Sequence, residues 1–60
     1  MELATRFAQW ARENGGTAVI WRPDTYDQIV LRAALRLLEA RGFTVETGEN
    51  EYTVILPKNP

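Results

Sequence analysis

The sequence predicts a small two-layer α+β domain: a three-stranded sheet in the order 1-3-2, with both helices on one of its faces. Three observations lead there. Two segments carry apolar residues at helical spacing, a short β-branched run separates them, and the C-terminal third alternates as a hairpin does.

The first helix is predicted over residues 2–14. Leu3, Phe7, Trp10 and Asn14 recur at i, i+4, i+7 and i+11, with Ala4, Ala8 and Ala11 beside them, while Glu2, Thr5, Arg6, Gln9 and Glu13 form the opposite face. Glu2 precedes Arg6 by four residues, the favoured order for a helical ion pair, and suits the positive end of the helix dipole. Asn14-Gly15-Gly16 tolerates positive φ and ends the helix.

Thr17 to Trp21 is uncharged and β-branched, bounded by Gly-Gly and Pro23, and reads as strand 1 over 17–21. A second helix is predicted over 25–41. Its polar residues Gln28, Arg32, Arg36 and Glu39 lie in one narrow stripe, and Ile29, Val30, Leu31, Ala33, Ala34, Leu35, Leu37 and Leu38 fill the rest. A helix so apolar calls for cover on more than one side, from a sheet and from helix 1. Gly42 is its C′ residue, and Phe43 is placed to touch Leu38.

"FTVETGENEYTVIL" then gives strands 43–47 and 52–56 around Gly48-Glu49-Asn50, with Pro57 and Pro60 ending the regular structure. A right-handed crossover through helix 2 makes strands 1 and 2 parallel. Strand 3 is the more apolar of the hairpin and strand 2 carries Glu46, so strand 3 takes the middle, antiparallel to both.

In element order and length the chain resembles the C-terminal half of a computationally designed α/β protein of novel topology. It is similar, too, to sulfur carriers of the TusA type without their first strand. The likeness covers nearly the whole chain and is one of topology. The reactive Cys-Pro motif of those carriers has no counterpart, because the chain holds no Cys, and no activity is carried over. Starting at Met1 without a tag, the chain reads as a complete small gene product, for instance a phage-type protein, or as a designed fold with no biological task.

Composition narrows the chemistry further. Sixty residues, 45% hydrophobic and 25% charged, describe one domain near the lower limit for a self-supporting core. Net charge is −1, with six Arg and one Lys against eight acids, which gives no electrostatic reason for a polyanion partner. Cys, His and Ser are all absent, which removes disulfides, Cys/His zinc sites and Ser or Cys nucleophiles with a His base. No stretch reads as a signal peptide or as a membrane span, so a soluble cytoplasmic protein is expected.

"AVIWRPDTYDQIV", Ala18 to Val30, runs from strand through loop to helix N-terminus, an arrangement that elsewhere holds phosphates. Here Asp24 or Thr25 reads as the helix cap, with Asp27 or Gln28 at N3 of a capping box. Acids thus occupy the place of an anion, and Arg22 is positioned to pair with one of them. As an acid/base pair, Asp24 and Asp27 lack an enclosing pocket. Arg32, Arg36 and Arg41 form a possible anion contact; without net positive charge or interleaved aromatic residues, a solvated helix face is preferred. A winged-helix reading fails on the acidic hairpin, whose Glu46, Glu49 and Glu51 would repel phosphates.

The open face of the sheet is more informative. Either Ala18 and Ile20 face the helices and Thr17, Val19 and Trp21 face outward, or the reverse; Thr53 and Ile55 join the outer surface, because Tyr52, Val54 and Leu56 suit the core. Strand 1 is also an uncharged edge, a template for pairing with another chain. The expected function is therefore a non-enzymatic interaction module. It would form a homodimer or bind another protein through Thr17, Val19, Trp21, Thr53 and Ile55, without cofactor or metal. The alternative is a nucleic-acid binder using the arginines of helix 2.

Overall fold

The structure, a computed structural model, describes residues 2–57; Pro60 and Lys58 lie outside them. Five regular elements follow one another: α1 (Leu3–Glu13), β1 (Thr17–Trp21), α2 (Gln28–Ala40), β2 (Thr44–Thr47) and β3 (Glu51–Ile55). The sheet order is β1-β3-β2, with β3 antiparallel to both neighbours. This is the α+β architecture that the sequence predicts.

Both helices end as their glycines direct. Gly42, at φ 96°, donates to the Glu39 carbonyl and Phe43 donates to that of Leu38, the two bonds of a Schellman motif. Phe43 is buried in the same cluster as Leu38. At the end of α1, Gly15 takes φ 75° and Gly16 donates to the Ala11 carbonyl at 2.7 Å.

The core lies between the helices and one face of the sheet. Phe7, Ile20, Leu31, Leu38 and Val54 are its largest fully buried side chains, with Ala4, Ala8, Ala11, Ala18 and Ala34 between them. Small residues on α1 and β1 let the backbones approach, so the few large side chains can interlock at interior density. Tyr26 and Phe7 meet edge to face (centroids 5.7 Å apart, planes at 89°), closing the core beside the segment that enters α2.

Three expectations need correction. The second helix starts at Gln28 rather than residue 25, because Pro23–Thr25 forms a separate 3₁₀ turn; Thr25 spends its hydroxyl on the Arg22 carbonyl. The hairpin strands are Thr44–Thr47 and Glu51–Ile55, each one residue away from a predicted boundary. Cover of α2 is also less complete than its composition demands. Leu31, Ala34, Leu35 and Leu38 are buried, yet Ile29 is 81% exposed, Val30 51% and Leu37 37%. One eleven-residue helix and a three-stranded sheet cannot reach those positions.

The expected Glu2–Arg6 pair gives way to a longer-range one. Glu2 accepts from the guanidinium of Arg41 at 3.2 Å, tying the start of α1 to the end of α2. Both side chains are about half exposed, so the pair adds at most about 1 kcal/mol.

Truncating the core tests how thin the margin is. Leu31→Ala is expected to remove ~2–5 kcal/mol, against a total of roughly 3–9 kcal/mol for a chain of this length. Urea denaturation followed by circular dichroism should show a midpoint lowered by a large fraction of the wild-type value; a midpoint close to wild type would place Leu31 outside the core.

Candidate interaction site

Pairing register decides which side of β1 is open. Thr17, Val19 and Trp21 stand opposite Ile55, Thr53 and Glu51, and across β3 these meet Thr44 and Glu46 of β2. Ala18 and Ile20, opposite Val54 and Tyr52, face the helices and are buried. Of the two possible registers, the one with Thr17, Val19 and Trp21 outward is therefore present. On that outer face Trp21 is 64% and Val19 41% exposed, while Thr53 and Ile55 are half-buried within the central strand. The surface is a mixed one: threonines and β-branched apolar side chains, an indole at one end, and Glu46 and Glu51 on the two strands beyond β1.

The hydrogen bonds say more than the side chains. Leu56 donates to the Gly16 carbonyl at 2.9 Å and Arg22 donates to that of Asn50 at 3.1 Å. In an antiparallel ladder, residues that bond to the partner alternate with residues whose backbone groups point the other way. Gly16, Ala18, Ile20 and Arg22 thus bond toward β3. Thr17, Val19 and Trp21 direct their N–H and C=O groups away from the sheet. Among the described residues, the same three supply both the exposed side chains and backbone groups without a partner.

What flanks this edge is as important as the edge itself. A groove of ≈ 420 Å³ runs along it, lined by Trp10 and Asn14 of α1 and by Thr17, Ala18 and Val19. None of these side chains is charged. The other edge of the sheet is different. By the same alternation, fixed there by the bond from Gly48 N–H to the Glu51 carbonyl, Val45 and Thr47 point their backbone groups outward. Beside them, however, lie Arg32, Arg36 and Glu39, and β2 itself carries Glu46. Charged side chains along an edge discourage pairing. β2 is guarded in this way and β1 is not.

The remaining candidates separate. Asp27, not Asp24 or Thr25, caps α2: its Oδ1 accepts from the Ile29 and Val30 amides at 2.9 and 3.3 Å. Gln28 donates to the Pro23 and Tyr26 carbonyls, bracing the turn rather than closing a capping box. Asp24 is exposed in the turn, where a broad depression is lined by Trp21, Arg22, Pro23, Glu49 and Asn50. Among the described residues Arg22 makes no ion pair, so the expected pairing with Asp24 or Asp27 is absent. The three arginines do not converge either. Arg32 and Arg36 share the groove against Val45 and Tyr52 with Glu39, whereas Arg41 is held by Glu2. Among the described residues no group of acids could hold a metal, and no helix is long and apolar enough to cross a membrane.

Sequence reasoning missed the role of Trp10 as a wall of the groove. Its helical spacing assigned it to the core, and it does pack on the core while also flanking β1. Comparisons with protein families, with curated proteins and with solved structures return no match for this chain.

The two acids at the helix entry can be told apart by stability. Asp27→Ala should cost about 1 kcal/mol through loss of the cap, and Asp24→Ala less than about 0.5 kcal/mol as an ordinary surface change. Equal losses in urea titrations would contradict the assignment of the cap.

Proposed function

We propose that the chain is a small non-enzymatic interaction module that accepts an extended segment of another polypeptide along β1. The observation that carries this is the coincidence on Thr17, Val19 and Trp21 of outward backbone groups and exposed side chains. Strand addition of this kind draws affinity from main-chain hydrogen bonds and selectivity from alternate side chains. An incoming strand would pair with three N–H and three C=O groups, and its own alternate residues would extend the outer face beside Val19 and Trp21. The uncharged groove against Trp10 and Asn14 leaves room for its other side chains. The arginines of α2 support a nucleic-acid reading less well, since Arg41 is paired with Glu2 and Glu39 stands among the others.

Amide exchange followed by NMR tests this directly. In dilute solution the Thr17, Val19 and Trp21 amides should exchange far faster than those of Ala18 and Ile20, which lie inside the ladder. Titration with a capped peptide of alternating Thr and Val should then slow the same three amides selectively. Protection of all five amides in the dilute protein would mean the edge is already satisfied and would overturn the proposal, as would a titration that leaves them unchanged.

A further inference from the structure

Resting on the reading of β1 as a strand acceptor, we infer that the strand it takes is the β1 of a second copy, antiparallel and centred on Val19. β1 has five residues, with Val19 in the middle. Because Val19 turns its backbone groups outward, two copies related by a two-fold axis can pair Val19 with Val19 through both hydrogen bonds. Thr17 of each chain then lies opposite Trp21 of the other. Ala18 lies opposite Ile20.

Each of these pairs is favourable on its own terms. On the outer face, Val meets Val and a β-branched residue meets an aromatic one, the kinds of cross-strand pair that stabilise sheets. On the helix side, a small residue faces a large one, so no two bulky side chains compete for the same space. No charge occurs between Thr17 and Trp21, so none is brought opposite itself. A shift of the partner by one residue would break this matching, since outward backbone groups would then face inward ones.

The architecture around the strand fits the same symmetry. An axis perpendicular to the sheet keeps the faces in place, so all four helices lie on one side and the two outer faces become one. The assembly is a single six-stranded sheet, β2-β3-β1-β1-β3-β2. Its two ends are the β2 edges, with Arg32, Arg36, Glu39 and Glu46 beside each. Growth therefore stops at two copies: the unguarded edge is consumed at the centre and the guarded edges are left outside. A contact of two five-residue strands is small beside a standard interface, so the dimer should be weak and dependent on concentration.

Sedimentation equilibrium across micromolar to millimolar protein, combined with single-cysteine cross-linking, tests this register. The chain has no Cys, so each introduced thiol reports alone. The Val19 Cα atoms would lie about 5.5 Å apart in a hydrogen-bonded pair, within disulfide reach. The Thr17 Cα atoms would be separated by about 14 Å. The expected result is a monomer–dimer equilibrium, rapid cross-linking of Val19→Cys by oxidation or a short bis-thiol reagent, and little with Thr17→Cys. Val19→Lys, whose side chain is exposed in the monomer, should keep the monomer's circular dichroism and weaken the dimer by about tenfold or more, since like charges would be forced together.

Other outcomes would overturn the inference. A monomer at millimolar concentration, in which an extended peptide still protects the Val19 amide, would exclude the second copy while leaving the strand-acceptor reading intact. A monomer with no response to peptide would remove both. A dimer indifferent to Val19→Lys, or one cross-linked no faster through Val19→Cys than through Thr17→Cys, would place the interface elsewhere; the exposed stripe of Ile29, Val30 and Leu37 is then the surface to examine.

Discussion

The fold depends on the double pairing of β3. Glu51 to Ile55 is bonded to β1 on one side and to β2 on the other, and Val54 at its centre is fully buried. Because β3 runs antiparallel to both neighbours, β1 and β2 are parallel, and the chain between them must cross the sheet. That crossing is α2, which brings Leu31 and Leu38 over the inner face. With one face and one central strand fixed in this way, α1 has a single place to lie, against β1, β3 and α2. The remaining surfaces, an open outer face and two free edges, are consequences of having only three strands.

Those two edges are physically unlike, and the difference is written in residues far apart in sequence. Arg32, Arg36 and Glu39 belong to α2 but stand beside β2, because the helix packs on that side of the sheet. β1 is flanked instead by α1, which offers Trp10 and Asn14 there. The polar stripe of α2 reads as a solvated face when the helix is considered alone. In the folded chain it also lines the margin of a strand. Its like-charged arginines thus border the β2 edge rather than open solvent alone.

Much of this was legible in the order of residues. Helical spacing, Gly-Gly and Gly42, and the uncharged run at Thr17–Trp21 are local signals, and they specify element order and sheet order. The entry to α2 was harder, because Asp24, Thr25 and Asp27 all suit a helix cap. Only the closing of a 3₁₀ turn by Pro23 and Thr25 leaves Asp27 with the role. Which face of β1 is buried was undecidable from "TAVIW", since both alternating sets are largely apolar. The outward direction of the Val19 backbone follows from which β1–β3 pairs are hydrogen-bonded, a fact of pairing that no single strand contains. Exposure of Ile29 and Val30 runs against their composition, for the reason that a helix pattern states a demand for cover and not its supply.

Arg22 adds a final consequence. Its backbone is left-handed, at φ 54°, the one non-glycine among the described residues with positive φ, and such a conformation costs an L-residue roughly 1–2 kcal/mol. The kink turns the chain out of the sheet at Arg22, whose N–H makes the last bond to β3, just as the Gly16 carbonyl makes the first. The length of free ladder is therefore set by the backbone and not by whatever approaches it. Under the proposed strand addition, a longer visitor would gain no more ladder hydrogen bonds than a short one. Contacts made there would form and dissolve readily, with occupancy following concentration rather than accumulating.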